Sequence, residues 1–355
     1  MDQAAVRVGL IGYGLAGAVF HAPLIASTPG LQLVSVVTGN PDRQAQARRE
    51  HPGVGVLGHV SELWQAADEH DLVVVATNTA THLPLGLAAV QAGLAVVVDK
   101  PLALTAAEGG RLVTAARERG VLLTVFHNRR WDGDLRTLRG LLAADALGSV
   151  HRLESRYERW RPGLRPGAWR ESERPEAGGG LLLDLGSHLV DQALLLFGPP
   201  RSVYAEVDRR RVGVEGDDDV FIALEHPGGV RSHLWASVLA AQVGPRLRAL
   251  GDRGAYVKHG LDVQEEALRA GRRPTEPGWG REPRDRWGWL GVDGELHQVE
   301  TEPGAYQLFY AGLAEALRTG GPPPVDPNDA VVGLRILDAA RQSAASGTTV
   351  RLPVG

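Results

Sequence analysis

Six residues near the start, Val6-Arg7-Val8-Gly9-Leu10-Ile11, run directly into Gly12-Tyr13-Gly14-Leu15-Ala16-Gly17, and a helical pattern comes at once after them. A G-x-G-x-x-G turn between a buried strand and a helix leaves few folds open. The first glycine permits the tight turn. The second lets the backbone approach a pyrophosphate, and the third allows close helix–strand packing. The helix N-terminus then presents N–H groups and a positive dipole to phosphates. A lone motif of this kind is weak, because methyltransferases and chance loops also produce it.

The segments beyond the turn strengthen it. Strand-like and helix-like stretches alternate: a strand at 31–37, a helix near 41–50, a short strand near 54–57, a helix near 61–67 and a strand at 72–76. A helix at 82–92, a strand at 94–98, a helix at 105–119 and a strand at 121–125 complete the series. Such alternation predicts a right-handed, doubly wound, mostly parallel sheet. Residues 1–126 are therefore read as an α/β, Rossmann-type domain that binds a dinucleotide, through Gly12, Gly14, Leu15, Ala16 and Gly17.

In NAD-binding domains a carboxylate about 20 residues beyond the glycines takes the ribose 2′-hydroxyl. Here the second strand ends Val36-Val37-Thr38-Gly39-Asn40-Pro41-Asp42-Arg43, so Thr38 stands where that carboxylate belongs. A hydroxyl, a glycine and the Arg43 guanidinium suit a 2′-phosphate better, which predicts NADP (NADPH) over NAD. The competing reading leaves Arg43 solvated and turns Asp42 to the ribose. Two later strand ends belong to the same carboxyl edge. Thr77, Asn78 and Thr79, with His82 beyond them, are expected to line the cofactor. Asp99-Lys100-Pro101 comes after the run Val96-Val97-Val98, and Pro101 is read as a cis residue aiming the lysine.

Composition narrows the function. The chain has 355 residues and a net charge of −4, which speaks against nucleic-acid and anionic-membrane partners. No apolar run approaches the roughly 18 residues of a membrane helix, and Val6 to Ile11 is too short for a signal peptide. There is no cysteine, which excludes disulfides, thiolate zinc sites and a thiol nucleophile. A cytoplasmic location is expected. Lys100 and Lys258 are the only lysines in an arginine-rich chain, so a lysine at a strand end is informative.

Residues 127–355 read as a second, α+β domain with a large open mixed or antiparallel sheet. Strand-like alternation recurs at 149–157, 201–208, 217–226, 230–238, 246–251, 254–258 and 295–300. Two helices, near 304–318 and 327–346, close the chain. The Trp-bearing segment 270–290 reads as a loop that folds over a site, contacts another subunit, or is a plain surface excursion. One helix interrupts the strands, and its start is unusual: Gly178-Gly179-Gly180 leads into Asp184, His188 and Asp191. Spacings of four and three put these three on one helical face. As a surface helix the stripe needs no function. As three metal ligands it lacks further donors.

Taken together, the glycine loop, Asp99-Lys100-Pro101-Leu102-Ala103 and Gly-Gly-Gly-x-x-x-Asp184-x-Gly186-x-His188-x-x-Asp191 resemble the glucose–fructose oxidoreductase/inositol dehydrogenase/rhizopine-catabolism (Gfo/Idh/MocA) family over nearly the whole chain. The family's usual Glu-Lys-Pro is Asp-Lys-Pro here. The stretches 14–23 and 126–132 are similar to its NADP-dependent scyllo-inositol dehydrogenase branch. The resemblance implies a dehydrogenase or reductase acting on a cyclic polyol or sugar, with Lys100, Asp184 and His188 as its catalytic residues and no metal. His188 suits a general base, and Lys100 suits a donor to the reacting oxygen. Asp184 either orients His188 or pairs with Lys100. Asn128, Arg129, Trp131, Tyr157, Arg159 and Trp160 are candidate substrate contacts. A homo-oligomer, dimer or tetramer, is expected. The rival readings are a non-catalytic NAD(P)-binding sensor or corepressor and, less favoured by the motifs, a methyltransferase.

Overall fold

The computed structural model of the chain describes residues 5–165 and 167–353. Its first sheet is built from β1 (Val6–Ile11), β2 (Leu31–Val37), β3 (Gly55–Leu57), β4 (Leu72–Val75), β5 (Ala95–Asp99) and β6 (Leu123–Phe126). All pairs are parallel, in the order β3-β2-β1-β4-β5-β6. Leu72 to Val75 and Val96 to Val98 are wholly buried, as continuous apolar strands are when helices cover both faces. The crossovers are α1 (Ala22–Ala26), α2 (Pro41–Glu50), α3 (Val60–Gln65), α4 (His82–Gln91) and α5 (Ala106–Arg119). The strand order reverses between β1 and β4, which opens a crevice at their carboxyl ends.

After α6 (Gly133–Ala143) the second sheet begins with β7 (Val150–Glu158). Next come α7 (Trp169–Ser172) and α8 (Ser187–Phe197), then β8 (Ser202–Asp208), β9 (Asp219–Glu225), β10 (Arg231–Ser237), β11 (Leu247–Gly251) and β12 (Ala255–Lys258). Helix α9 (Gln264–Arg269) precedes β13 (Gly288–Val292) and β14 (Glu295–Val299). Helices α10 (Gln307–Thr319) and α11 (Pro327–Ser346) lead to β15 (Val350–Arg351). The nine strands run β14-β13-β12-β11-β7-β10-β9-β8-β15, and only β7 and β10 pair in parallel. Val220, Ile222 and Leu224 of β9 face the buried side, while Phe221 stacks near Trp235 on the other. That is the alternation of a sheet covered on one face.

Strand β13 begins inside the stretch 270–290 that the sequence presents as loop, and helix α9 lies just before that stretch, where the sequence marked no element. Glycines disguise the strand. A Cβ at Gly288 would strike the Tyr256 ring, and Gly291 lies against the backbone of Glu295. Trp279, in the same Trp-bearing segment, is buried and donates its indole N–H to Gln307 at 3.0 Å, whereas Trp289 is exposed on β13. The two halves also interlock. Helix α10 comes after most of the second sheet in the chain, yet Phe309, Tyr310 and Leu313 pack with Val8, Leu10, Leu24 and Phe126 of the first. Among the described residues no helix is long and apolar enough to cross a membrane.

Candidate active site

A cavity of about 1040 Å³ runs along the carboxyl ends of β1, β2, β4 and β5 and under the second sheet. Gly12 has φ +98°, and a Cβ there would collide with the carbonyl oxygen of Ala76 at the end of β4. Only glycine lets these strand ends approach so closely. A Cβ on Gly14 would come 3.7 Å from Arg43, so the guanidinium lies against the glycine turn. Asn40 caps α2, its side chain accepting from the Arg43 N–H, and α2 thereby presents Arg43 beside Thr38. Thr38 and Arg43 line the cavity, and Asp42 does not. Gly12, Gly14, Leu15, Ala16, Thr77 and Asn78 are also in its wall.

Three expected cofactor positions lie behind that wall. Gly17 packs against the Gly12 carbonyl. Thr79 is buried against Gly178. His82 is buried with its ring nitrogens 2.8 Å from the Pro101 carbonyl and 3.2 Å from the Thr77 carbonyl. It ties two strand ends together rather than facing the cavity. The Lys100–Pro101 peptide bond is cis.

The floor of the cavity is formed by Lys100 from the end of β5 and by the start of the α8 segment. A wide turn, Leu182–Gly186, precedes α8. Gly180 enters it at φ +91°, where a Cβ would meet the Asp217 carboxylate, and Asp217 accepts from the Leu182 N–H at 2.6 Å. Gly180 thus seats the helix opening onto a carboxylate from the connection between β8 and β9. Lys100 Nζ donates to Asp184 Oδ1 and to the Asp184 carbonyl, each at 2.7 Å. Arg170 Nε stands 3.1 Å from the same Oδ1. Burial alone would raise the Asp184 carboxyl, but Lys100 and Arg170 hold it far below the usual carboxylate range. Of the two roles open to Asp184, the geometry shows the pairing with Lys100.

His188 lines the cavity one turn further on. Its Nδ1 is buried and makes no hydrogen bond among the described residues. Burial depresses its pKa, and the charges of Lys100 and Arg129 depress it further, so the imidazole is neutral well below the ordinary histidine range. A neutral imidazole is able to take a proton.

Asp191 departs from the stripe. It accepts from Arg130 through Nε at 2.9 Å and Nη2 at 2.7 Å, and it lies outside the cavity wall. Seven helical residues carry it about 10 Å along the axis from Asp184, beyond the site. The three groups therefore do not converge on a metal.

Asn128, Arg129, Tyr157 and Arg159 line the cavity as the sequence suggested; Trp131 and Trp160 do not. The Trp131 ring packs edge-on to Phe309 of α10, with centroids 5.8 Å apart. The Trp160 side chain points outward, and the residue is 58% exposed. Beneath the site, the Tyr157 hydroxyl accepts from Arg246 at 2.6 Å, and Tyr306 donates to Asp132 at 2.7 Å. Burial raises the Asp132 carboxyl. Arg170 carried no signal in the sequence, because the segment that holds it has no periodicity to reveal which way it turns.

Two family models cover most of the chain. Residues 6–127 match an oxidoreductase-family NAD-binding Rossmann fold, and residues 139–352 match the C-terminal alpha/beta domain of the same Gfo/Idh/MocA oxidoreductases. The chain belongs to the Gfo/Idh/MocA oxidoreductase family. It is 41% identical over 351 residues to the uncharacterized oxidoreductase YdgJ of Escherichia coli, covering 98% of this chain and 99% of that one. It is 35% identical over 351 residues to the scyllo-inositol 2-dehydrogenase (NADP(+)) IolW of Bacillus subtilis, covering 98% and 96%. The solved structure of Bacillus subtilis yvaA superimposes with a TM-score of 0.93 at 34% identity, covering 99% of this chain and all of that one. The protein is thus an oxidoreductase with an NAD-binding Rossmann domain. The glycine turn fits such a group: its backbone is open to the cavity where a side chain would fill the cradle.

Proposed function

We propose that the protein is an NADP-dependent dehydrogenase or reductase that interconverts a secondary alcohol and a ketone of a cyclic polyol or sugar. The observation that carries this reading is the floor of the cavity, which holds the Lys100–Asp184 ion pair at 2.7 Å and a neutral His188 whose Nδ1 has no partner among the described residues. Gly12, Gly14 and the neighbouring backbone would hold the pyrophosphate, with Thr38 and Arg43 at the 2′-phosphate. When bound, the nicotinamide supplies hydride acceptance or donation, the part of the chemistry that side chains cannot perform.

The side chains supply the rest. In the oxidising direction His188 takes the hydroxyl proton of the substrate, and its depressed pKa keeps it ready to do so at neutral pH. Lys100 donates a hydrogen bond to the same oxygen as negative charge develops there. Asp184 holds the Lys100 ammonium in place, and Arg170 helps keep that carboxylate ionised. In the reducing direction His188 returns the proton. Asn128 and Arg129 offer donors to further hydroxyls, and the Tyr157 ring offers an apolar face.

NADP reduction across a panel of inositols, aldoses and 1,2-diols tests the reading, with Lys100→Ala and His188→Asn beside the parent. Turnover by the parent and its loss in both variants is the expected result. Tight NADPH binding with no turnover of any compound would favour the non-catalytic sensor. Unimpaired turnover in His188→Asn would remove the assigned base. The relative named a scyllo-inositol 2-dehydrogenase (NADP(+)) supports both the polyol and the cofactor in this proposal. The exposed Trp289, Val292 and Leu296 on the outer strands support self-association into a dimer or tetramer, which sedimentation would reveal.

A further inference from the structure

The segment after β7 brings arginines to the cavity that the reaction does not need. Arg159, Arg161 and Arg165 all line it, as do Lys100, Asp184 and His188 of the floor. Arg161 is held by Glu171 at 2.8 Å, yet its Nε is buried with no acceptor. Among the described residues neither the Arg159 nor the Arg165 guanidinium has any hydrogen bond or ion pair. The three repel one another: Arg159 and Arg165 lower the Arg161 pKa once burial has done so, and Arg165 does the same to Arg159.

The carboxylates of the cavity relieve this only in part: the Asp184 charge acts on Arg159, but among the described residues no carboxylate pairs with the Arg159 or Arg165 guanidinium. Asp184 is taken by Lys100 and Arg170, and Glu265 by Arg129 and Arg269. Asp217 and Asp262 accept backbone N–H groups. Glu171 is shared between Arg161 and Arg211. Arg159 and Arg165 stand exposed at the cavity with their guanidinium groups unpaired among the described residues, and the guanidinium fork matches carboxylate and phosphate oxygens. These arginines come from the second domain, after β7, whereas the glycine turn and Arg43, which would hold the phosphates of the dinucleotide, come from the first.

We propose that the substrate carries an anionic group, a carboxylate or a phosphate, which Arg159 and Arg165 bind while Lys100 and His188 act on a hydroxyl elsewhere in the same molecule. The substrate class narrows to sugar acids and phosphorylated polyols or sugars. This rests on the dehydrogenase reading above.

The test uses the NADP-loaded protein and ring-matched compounds in three arms: neutral (glucose, myo-inositol), carboxylated (glucuronate) and phosphorylated (glucose 6-phosphate, inositol 1-phosphate). Turnover is followed by NADPH absorbance, and binding by calorimetry with NADPH bound. The expected result is a preference for one charged arm over the neutral arm of about tenfold or more in kcat/KM and in Kd. That preference falls about tenfold in Arg165→Ala and in Arg159→Ala and is partly restored in Arg165→Lys. Whichever charged arm wins identifies the anion. Neutral compounds preferred or equal overturn the proposal while leaving the dehydrogenase intact. Binding of no charged compound overturns it too. Arg165→Ala weakening NADPH as much as substrate would assign the cluster to the cofactor and overturn it. Charged compounds that bind in an Arg165-dependent way but are never oxidised or reduced would uphold the anion site and sink the dehydrogenase reading instead.

Discussion

Asp184 and Asp191 occupy one helical stripe, yet the structure gives them opposite work, and Asp191→Asn separates the two. Asp191 is 3% exposed and holds Arg130 by contacts of 2.7, 2.9 and 3.1 Å. Removing one member of a buried pair costs about 3–5 kcal/mol, because the other charge is stranded. Arg130 retains Asp329 at 3.0 Å, but that side chain is 49% exposed and solvated. The residual contact places the cost near the lower figure, about 3 kcal/mol. Across a chain of this length the unfolding entropy is about 0.7 kcal/mol/K, so the melting temperature falls by about 4 °C. Differential scanning calorimetry reads this, and turnover of the folded protein stays within about threefold of the parent, under 1 kcal/mol of barrier. Asp184→Asn reverses the pattern. It releases Lys100 and Arg170 and lowers kcat by about 100-fold or more. An Asp191→Asn protein that melts with the parent yet has lost its turnover would refute the reasoning, since it would place Asp191 in the chemistry.

The same geometry sets three other outcomes. Parent oxidation should persist through the ordinary histidine range and fall only at lower pH, because the depressed His188 pKa delays its protonation; in Lys100→Met, which removes the largest charge acting on that imidazole after burial, the acid limb of residual activity or the His188 NMR titration moves to higher pH. Arg43→Ala should weaken NADPH by about tenfold and NADH little, as competition binding would show; equal or tighter NADH binding by the parent would sink the 2′-phosphate assignment. Gly12→Ala should abolish NADPH binding and cost about 1–3 kcal/mol of stability on thermal melting, because its Cβ meets the Ala76 carbonyl and its φ is positive.

The first sheet was almost wholly legible because its code is local. Strands of Val, Leu and Ile such as β1, β2 and β3 end in glycine or small polar residues, and helices carry caps or start signals, such as Asn40 before Pro41 and Thr105 before Ala106. The same locality revealed Gly12, Lys100 and His188, each placed by the strand or helix it ends or begins. The features that stayed hidden depend on distances between segments far apart in sequence. Periodicity gave Asp191 the same face as Asp184 but not its height along the axis, and only the partner Arg130, 61 residues away, shows that it leaves the site. Trp131 and Trp160 looked like substrate contacts by type, yet α10 claims one and solvent the other.

The arginines at 159, 161 and 165 show the same limit from the opposite side. In the sequence Arg159 stands out as a candidate substrate contact, whereas Arg161 and Arg165 resemble an ordinary solvated basic stretch, since nothing nearby reveals that they face a cavity. Their importance comes from the lack, among the described residues, of any carboxylate paired with the Arg159 or Arg165 guanidinium, a property of the assembled site. Composition gave no hint of this pocket, since a net charge of −4 speaks only against nucleic-acid and anionic-membrane partners. Net charge governs long-range encounter, whereas recognition depends on the few unpaired groups within hydrogen-bonding reach. An acidic protein with an arginine-lined pocket should therefore bind its anionic ligand with a modest association rate and a dissociation rate sensitive to Arg165. Stopped-flow measurement at two salt concentrations would separate these, and a salt effect confined to association in the parent and unchanged in Arg165→Ala would argue that the arginines act only at long range.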